Sequence, residues 1–194
     1  MFNQELGIPT VVGNLIDTDA GSIDFGLIEY IGKVPGLIHH LADCTSNDNT
    51  FSLENRSKWT AANIEMIRNW KSEDELLITQ NQAFFSPHRF ALVNPRLQKA
   101  VPISLLREPL PIENKMFFIL SIDPANDVIT LSNGVDYSIY PHDHGTLRKF
   151  SENDRIILGF NSSDKLDVTN LDYYKCYLLI NTTCNSYVRA NPAR

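Results

Sequence analysis

The sequence lacks the features that mark exported, membrane-spanning or disulfide-rich chains. Its three cysteines are an odd number without the CxxC spacing of metal sites, so we expect free thiols; a Cys176–Cys184 bridge is the alternative. No stretch approaches the roughly 18 apolar residues of a membrane span. The first five residues hold no positive charge, and no long apolar run follows them, so we expect no signal peptide. We therefore expect a soluble, cytoplasmic protein with no membrane partner.

Basic charge is also scarce. The net charge is −6, and residues 1–36 alone hold five acidic residues and one lysine, a net charge of −4. The rest of the chain is nearly neutral. Nucleic-acid binders usually carry a basic excess, because neutralising phosphates dominates their affinity. The charge pattern therefore argues against a nucleic-acid partner.

Motifs that carry chemistry are missing as well. The sequence contains no GxxxxGK[ST], no GxGxxG between a strand and a helix and no GxSxG. His39 and His40 are adjacent, so on a strand they point to opposite faces and cannot chelate one metal together. His88 stands alone. We therefore assign no catalytic residue and no cofactor, and whether the chain is an enzyme stays open, with the balance against it.

The tripeptide His142-Asp143-His144 is the one candidate metal motif, because an HxH pair on a strand points both imidazoles to one face. With Glu152 and Gly159 it resembles the first motif of cupins, which bind metal inside a β-sandwich. However, Glu152 lies further from His144 than in that family, and residues 160–194 hold no histidine. Pro141 and Gly145 flank the tripeptide and indicate a turn. We therefore predict no metal site.

An internal repeat is the strongest signal in the chain. Three blocks recur in the same order with offsets of 78, 80 and 87, which two loop insertions explain: 51–59 on 129–137, 70–78 on 150–158, and 90–94 on 177–181. The repeat matches Trp59 with Tyr137 and Trp70 with Phe150. These aromatic residues are in phase with apolar neighbours, which favours core rings; a stacking surface for bases, sugars or a peptide is the alternative.

Both copies have the pattern of strands. Asn133-Gly134 between two β-prone runs predicts a hairpin, because both residues tolerate positive φ. The continuous aliphatic runs 155–160 and 177–180 predict buried strands, with counterparts at 75–79 and 90–93. One helix is predicted over 61–70, capped by Thr60, whereas its counterpart 141–149 is predicted to be a turn.

The sequence thus predicts an all-β or mainly-β protein with one or two short helices, built from two diverged, tandem copies of a small β-barrel or sandwich-like unit of five or six strands. The expected organisation is an N-terminal arm (1–36), copy one (37–106), a proline-containing linker (107–114) and copy two (115–194). The arm is rich in glycine but too apolar for a free tail. We expect it to dock on the body, with residues 25–31 pairing with a sheet edge.

Small all-β modules commonly act through their faces and edges. The leading hypothesis is therefore a non-catalytic binding protein whose partner is another protein, bound at a β face or edge. The alternative is an enzyme or small-ligand-binding protein with a site in the cleft between the two units. A cleft lined by several titratable groups would favour the alternative, and flat surfaces with one apolar patch would favour the first.

Overall fold

The computed structural model describes residues 15–25, 36–45, 48–83, 85–110, 116–161 and 177–193. The described part of the arm is a hairpin of two antiparallel strands, β1 (Leu15–Thr18) and β2 (Gly21–Asp24). The mainly-β class predicted from the sequence is confirmed, since 14 strands and only short helical segments make up the described elements.

Unit 1 is a six-stranded antiparallel sheet with the order β3-β4-β5-β8-β7-β6. A short helix, α1 (Ile64–Arg68), connects β5 to β6. The strands are β3 (Leu41–Thr45), β4 (Thr50–Leu53), β5 (Lys58–Ala61), β6 (Leu77–Gln80), β7 (Phe90–Asn94) and β8 (Lys99–Arg107).

Unit 2 is a closed six-stranded barrel with the order β10-β11-β14-β13-β12-β9. A 3₁₀ turn (Pro141–Asp143) and a one-turn helix, α2 (His144–Leu147), follow the third strand of the unit. The strands are β9 (Phe117–Asp123), β10 (Val128–Leu131), β11 (Asp136–Ile139), β12 (Arg155–Phe160), β13 (Tyr177–Asn181) and β14 (Ser186–Pro192).

The two units share one strand order. Read from its first strand, unit 1 has the order β3-β4-β5-β8-β7-β6, and unit 2 has the matching order β9-β10-β11-β14-β13-β12. Their first strands carry a bulge at the same step, opposite Leu53 in unit 1 and opposite Leu131 in unit 2. In unit 2, β9 pairs with β12 and closes the barrel. In unit 1, the matching contact is a single antiparallel bridge between His39 and Leu76. A common origin of the units by duplication stays a prediction, which their superposition would check.

The hairpin at Asn133-Gly134 forms where the sequence predicts it. Gly134 has φ +74°, and Asn133 Oδ1 accepts a hydrogen bond from the Val135 N–H. In unit 1, Asn55 Oδ1 accepts from the Ser57 N–H in the same way, and Arg56 has φ +63° at the position of Gly134. Both turns therefore use an asparagine side chain to satisfy a backbone donor.

The helix predictions need correction. Thr60 lies within β5 and caps nothing; α1 begins at Ile64 after Asn63 and ends at Arg68. Ile64 and Ile67 form its buried side, and Thr60 continues the sheet because it pairs with Ser104 of β8. The matching stretch of unit 2 is not only a turn, since α2 forms there despite Gly145. Tertiary packing of Leu147 stabilises a segment whose own helix propensity is low.

The units share their hydrophobic cores. One core cluster is centred on unit 2 and another on unit 1, but each includes residues of the other unit. The contributions of unit 1 to the first are Leu77, Ala91, Val93 and Ala100; those of unit 2 to the second are Ile157, Leu178 and Ile180. Strands β6 and β12 lie so close together that a Cβ on Gly159 would sit 2.6 Å from the Ile78 carbonyl oxygen.

The described part of the arm packs on this body. Ala20, Ile23 and Phe25 are buried, and the Ala20 carbonyl accepts a hydrogen bond from the Gln82 N–H at 3.0 Å. Its strands pair with each other in a separate sheet rather than with an edge of either unit. Of the segment 25–31, expected to pair with an edge, only Phe25 lies within the described residues. The linker begins one residue later than expected, because Arg107 still belongs to β8.

Candidate functional site

A cleft of about 300 Å³ opens where the two units meet. Unit 1 and the chain leading into it supply Gly36, Ile38, His39, His40, Glu54 and Asn55, and unit 2 supplies Phe117, Ile156, Ile157 and Leu158. The polar lining residues all come from the unit 1 side, whereas the unit 2 wall is apolar. Residues 39–40 lie just before β3, and Phe117 begins β9. His39 pairs with Leu76 as Phe117 pairs with Ile156.

His39 is the most deeply placed titratable residue of the cleft and is 4% exposed. Its Nε2 lies 2.8 Å from the Leu158 carbonyl oxygen of unit 2, and its Nδ1 lies 3.1 Å from Glu54 Oε1. A carbonyl oxygen can only accept, so Nε2 carries a proton. Nδ1 faces the Glu54 carboxylate, so the His39 ring links Glu54 to the second unit.

Glu54 is the carboxylate around which the polar side is organised. Its Oε2 accepts a hydrogen bond of 2.7 Å from the His40 N–H. Burial raises the pKa of the Glu54 carboxyl, but the hydrogen bond and charge of His39, together with the His40 N–H, outweigh burial and hold this pKa below its ordinary value. Glu54 is therefore ionised at neutral pH.

His40 offers the cleft an unused acceptor. Its Nδ1 lies 3.2 Å from the Asp74 backbone oxygen, which can only accept, so Nδ1 carries the proton in the neutral ring. The Nε2 atom then keeps its lone pair, and among the described residues it has no hydrogen-bond partner. His40 is half-buried. It is thus a fixed imidazole with one nitrogen available to a ligand.

The matching positions of unit 2 carry different chemistry. The Glu54 N–H donates to the His40 carbonyl, and the Ser132 N–H donates to the Phe118 carbonyl in the same place. Likewise the His40 N–H donates to the Glu54 carboxylate and the Phe118 N–H to the Ser132 hydroxyl. Unit 2 therefore keeps the backbone geometry with Phe and Ser where unit 1 has His and Glu.

Other titratable residues are occupied by structural contacts. Asp74 accepts from both Nε and a terminal nitrogen of Arg96, at 2.6 and 2.8 Å, and from the Asn94 amide. The hydrogen bonds from Arg96, opposed by burial and assisted by the Lys71 N–H and Asn94, hold the pKa of Asp74 well below its ordinary value. In unit 2, Asp154 accepts from Asn181 at 2.6 Å in the matching place.

The histidines of His142-Asp143-His144 do not converge. His144 Nδ1 lies 2.5 Å from Asp127 Oδ1, whereas His142 packs edge-on against Tyr140 and is exposed. Asp143 forms a bidentate pair with Arg189. The segment is a 3₁₀ turn running into α2 rather than a strand, so alternate residues do not share a face. Within the described ranges, no three His, Cys, Asp or Glu side chains are grouped as a metal site.

The matched aromatic residues belong to the cores, since Trp59, Tyr137, Trp70 and Phe150 are all 6% exposed or less. They therefore form no stacking surface. Cys44 and Cys184 are free thiols, and Cys176 lies outside the described residues. Burial raises the pKa of both described thiols, so neither is activated as a nucleophile. His88 Nδ1 is bonded to the Ser104 hydroxyl.

Sequence reasoning did not find the cleft residues. His39 and Glu54 are 15 positions apart, and the contact of His39 with Leu158 spans 119 positions, so no local motif joins them. The repeat alignment held the only signal, because the offset of 78 places His39, His40 and Glu54 on Phe117, Phe118 and Ser132.

None of the described helices is long and apolar enough to cross a membrane. Comparisons with protein-family models, with curated proteins and with solved structures found no match to the chain.

Proposed function

We propose that this chain is a non-catalytic binding protein whose ligand occupies the cleft between the two units. The observation that supports this most strongly is the asymmetry of the cleft. Unit 1 places two histidines and a glutamate where the same backbone in unit 2 carries Phe117, Phe118 and Ser132. Burying charged and polar side chains against an apolar wall brings a desolvation cost. A binding role gives these residues a reason to be present.

The composition of the cleft favours binding over catalysis. Its described lining residues include no Ser, Thr, Cys, Tyr or Lys, the side chains that most often act as nucleophiles. The Glu54 carboxylate already accepts one hydrogen bond on each oxygen. Among the described lining residues, His40 is the titratable side chain with a nitrogen left for a ligand. A single imidazole with no nucleophile beside it suits recognition rather than reaction.

A fragment screen by protein-observed NMR tests the proposal. We expect fragments that bind to shift the backbone amide signals of 36–40, 54–55 and 156–158 together. Ile38→Trp, which fills the cleft from its half-buried rim, should abolish those shifts. Leu106→Trp is the matched control, because Leu106 is 57% exposed on β8 and does not line the cleft. Fragments that shift these signals equally in Ile38→Trp would contradict a site in the cleft.

A protein partner at a sheet edge is the second candidate. It is favoured by β3, an edge strand of unit 1, whereas its counterpart β9 is closed by β12. However, β3 is short and bulged, and its Cys44 N–H already donates to the Asp43 carboxylate. These features protect an edge strand from pairing with another chain. If a partner adds a strand there, the wild-type protein should recover it in a binding experiment. Cys44→Pro should not recover it, because proline removes the outward N–H donor. Equal recovery by both proteins would exclude this edge.

The proposal includes a cytoplasmic location and an origin by duplication. The free thiols of Cys44 and Cys184 are compatible with a reducing compartment. Under duplication, the cleft is the place where unit 1 diverged from a shared framework of Asn turns and Asp–Asn pairs. Fractionation of cells with an antibody to the protein, and superposition of the two units, test these two points.

A further inference from the structure

Building on the proposed cleft function, we infer that the ligand presents a primary ammonium group to Glu54 and His40 and places a small apolar body against Phe117 and Ile156. The chemical class of the ligand is set by the hydrogen-bonding capacity that remains after the internal bonds of the cleft are counted.

Donors are largely used up within the cleft. Both ring nitrogens of His39 are taken, one by the Leu158 carbonyl and one by Glu54. The His40 backbone N–H is taken by Glu54, and the His40 Nδ1 proton points to the Asp74 carbonyl. The side-chain oxygen of Asn55 is turned towards Ser57, so this amide serves the β4–β5 turn. Among the described lining residues, no charged donor is therefore left for a ligand carboxylate or phosphate.

Acceptors remain. The described hydrogen bonds leave lone pairs on the Glu54 carboxylate, and His40 keeps the Nε2 lone pair. An ammonium group supplies three donors and a positive charge, and hydrogen bonds between charged partners are about twice as strong as neutral ones.

The apolar wall and the volume limit the rest of the ligand. Phe117 and Ile156 face the polar side, and about 300 Å³ lies at the lower end of the range for small-molecule sites. Since a water molecule takes about 30 Å³ of liquid, the cleft holds roughly ten non-hydrogen atoms. A ring or short aliphatic group next to the ammonium fills this space.

Benzylammonium is a suitable probe, with benzyl alcohol and benzoate as neutral and anionic analogues of similar shape. We expect benzylammonium to shift the amide signals of 39–40, 54 and 156–158 with a Kd on the order of 1 mM, a typical affinity for a fragment. Benzoate should bind there at least about tenfold more weakly, because it meets the Glu54 carboxylate.

Two variants assign the effect. Glu54→Gln should weaken benzylammonium binding by about tenfold or more, since it removes the charge that the ammonium contacts. Glu73→Gln makes the same change in net charge at an exposed carboxylate outside the cleft and should leave the Kd unchanged. His40→Phe, which introduces the unit 2 residue, should also weaken binding and provides a second test if Glu54→Gln fails to fold.

The outcomes separate the two proposals. Cleft binding of benzoate or benzyl alcohol as tight as that of benzylammonium would overturn the ammonium class and leave the cleft function standing. Equal affinity of wild type and both cleft variants would also overturn it. If none of the three probes, nor any library fragment, shifts the cleft signals, the proposed function itself is wrong.

Discussion

Replacing Gly159 with alanine tests how the two units are joined. The new Cβ would lie 2.6 Å from the Ile78 carbonyl oxygen, whereas carbon–oxygen contacts in proteins are ordinarily about 3.3 Å or longer. It would also lie 3.2 Å from Ile180 Cδ1. Relief requires the β6 or β12 backbone to move by about 0.7 Å relative to the other strand, since the closest atom is main chain and cannot rotate away.

The expected cost is that of overpacking a well-packed interior, about 2–3 kcal/mol of unfolding free energy. The lost flexibility of glycine in the unfolded chain offsets this by only about 0.4–1 kcal/mol. For a chain of this length the net change should lower the melting temperature by roughly 3–10 °C, measured by scanning calorimetry. We also expect amide shifts along both strands, because the displacement is in the backbone.

Gly145→Ala is the matched control. Gly145 lies in α2, and nothing lies within 4 Å of the position that an added Cβ would take. The same substitution there should therefore leave stability unchanged or raise it by about 0.5–1 kcal/mol. If Gly159→Ala melts at or above the wild-type temperature while Gly145→Ala behaves as expected, β6 and β12 are not in the close contact described, and the account of the joined units fails.

Three further predictions concern the rest of the chain. Asp74→Asn should lower the unfolding free energy by about 2 kcal/mol at pH 7, because it weakens the pair with Arg96. The pKa of Asp74 is depressed in the folded chain, so this difference in stability from the wild type should shrink as the pH falls below about 4. Urea titrations at several pH values measure it. Deleting residues 1–36 should lower the melting temperature or cause aggregation, since it removes buried Ile23 and Phe25; full stability of a monomeric truncated protein would contradict a structural arm. Denatured, non-reduced protein should titrate as three thiols, and a count of one would indicate a disulfide.

Local signals explain why some of the strands could be predicted. Runs such as 155–160 are continuous and aliphatic, and the strands they form are buried on both faces because each unit packs against the other. The Asn133-Gly134 turn could be predicted because its residues tolerate positive φ. The helix start at Thr60 was wrong because residue type alone does not reveal that Thr60 pairs with Ser104, more than 40 residues later.

The sequence by itself determined the positions of several buried strands, the Asn133-Gly134 turn and the repeated order of blocks, because period, turn chemistry and apolar runs act over a few residues. Only the tertiary structure decided that the two sheets share their cores, that unit 2 closes while unit 1 meets through one bridge, and that His39 reaches Leu158. These features depend on contacts between distant segments, and a histidine looks the same in sequence whether solvent or a carboxylate faces it. The cleft exists because two similar frameworks meet with different side chains, and that juxtaposition is a property of the folded chain.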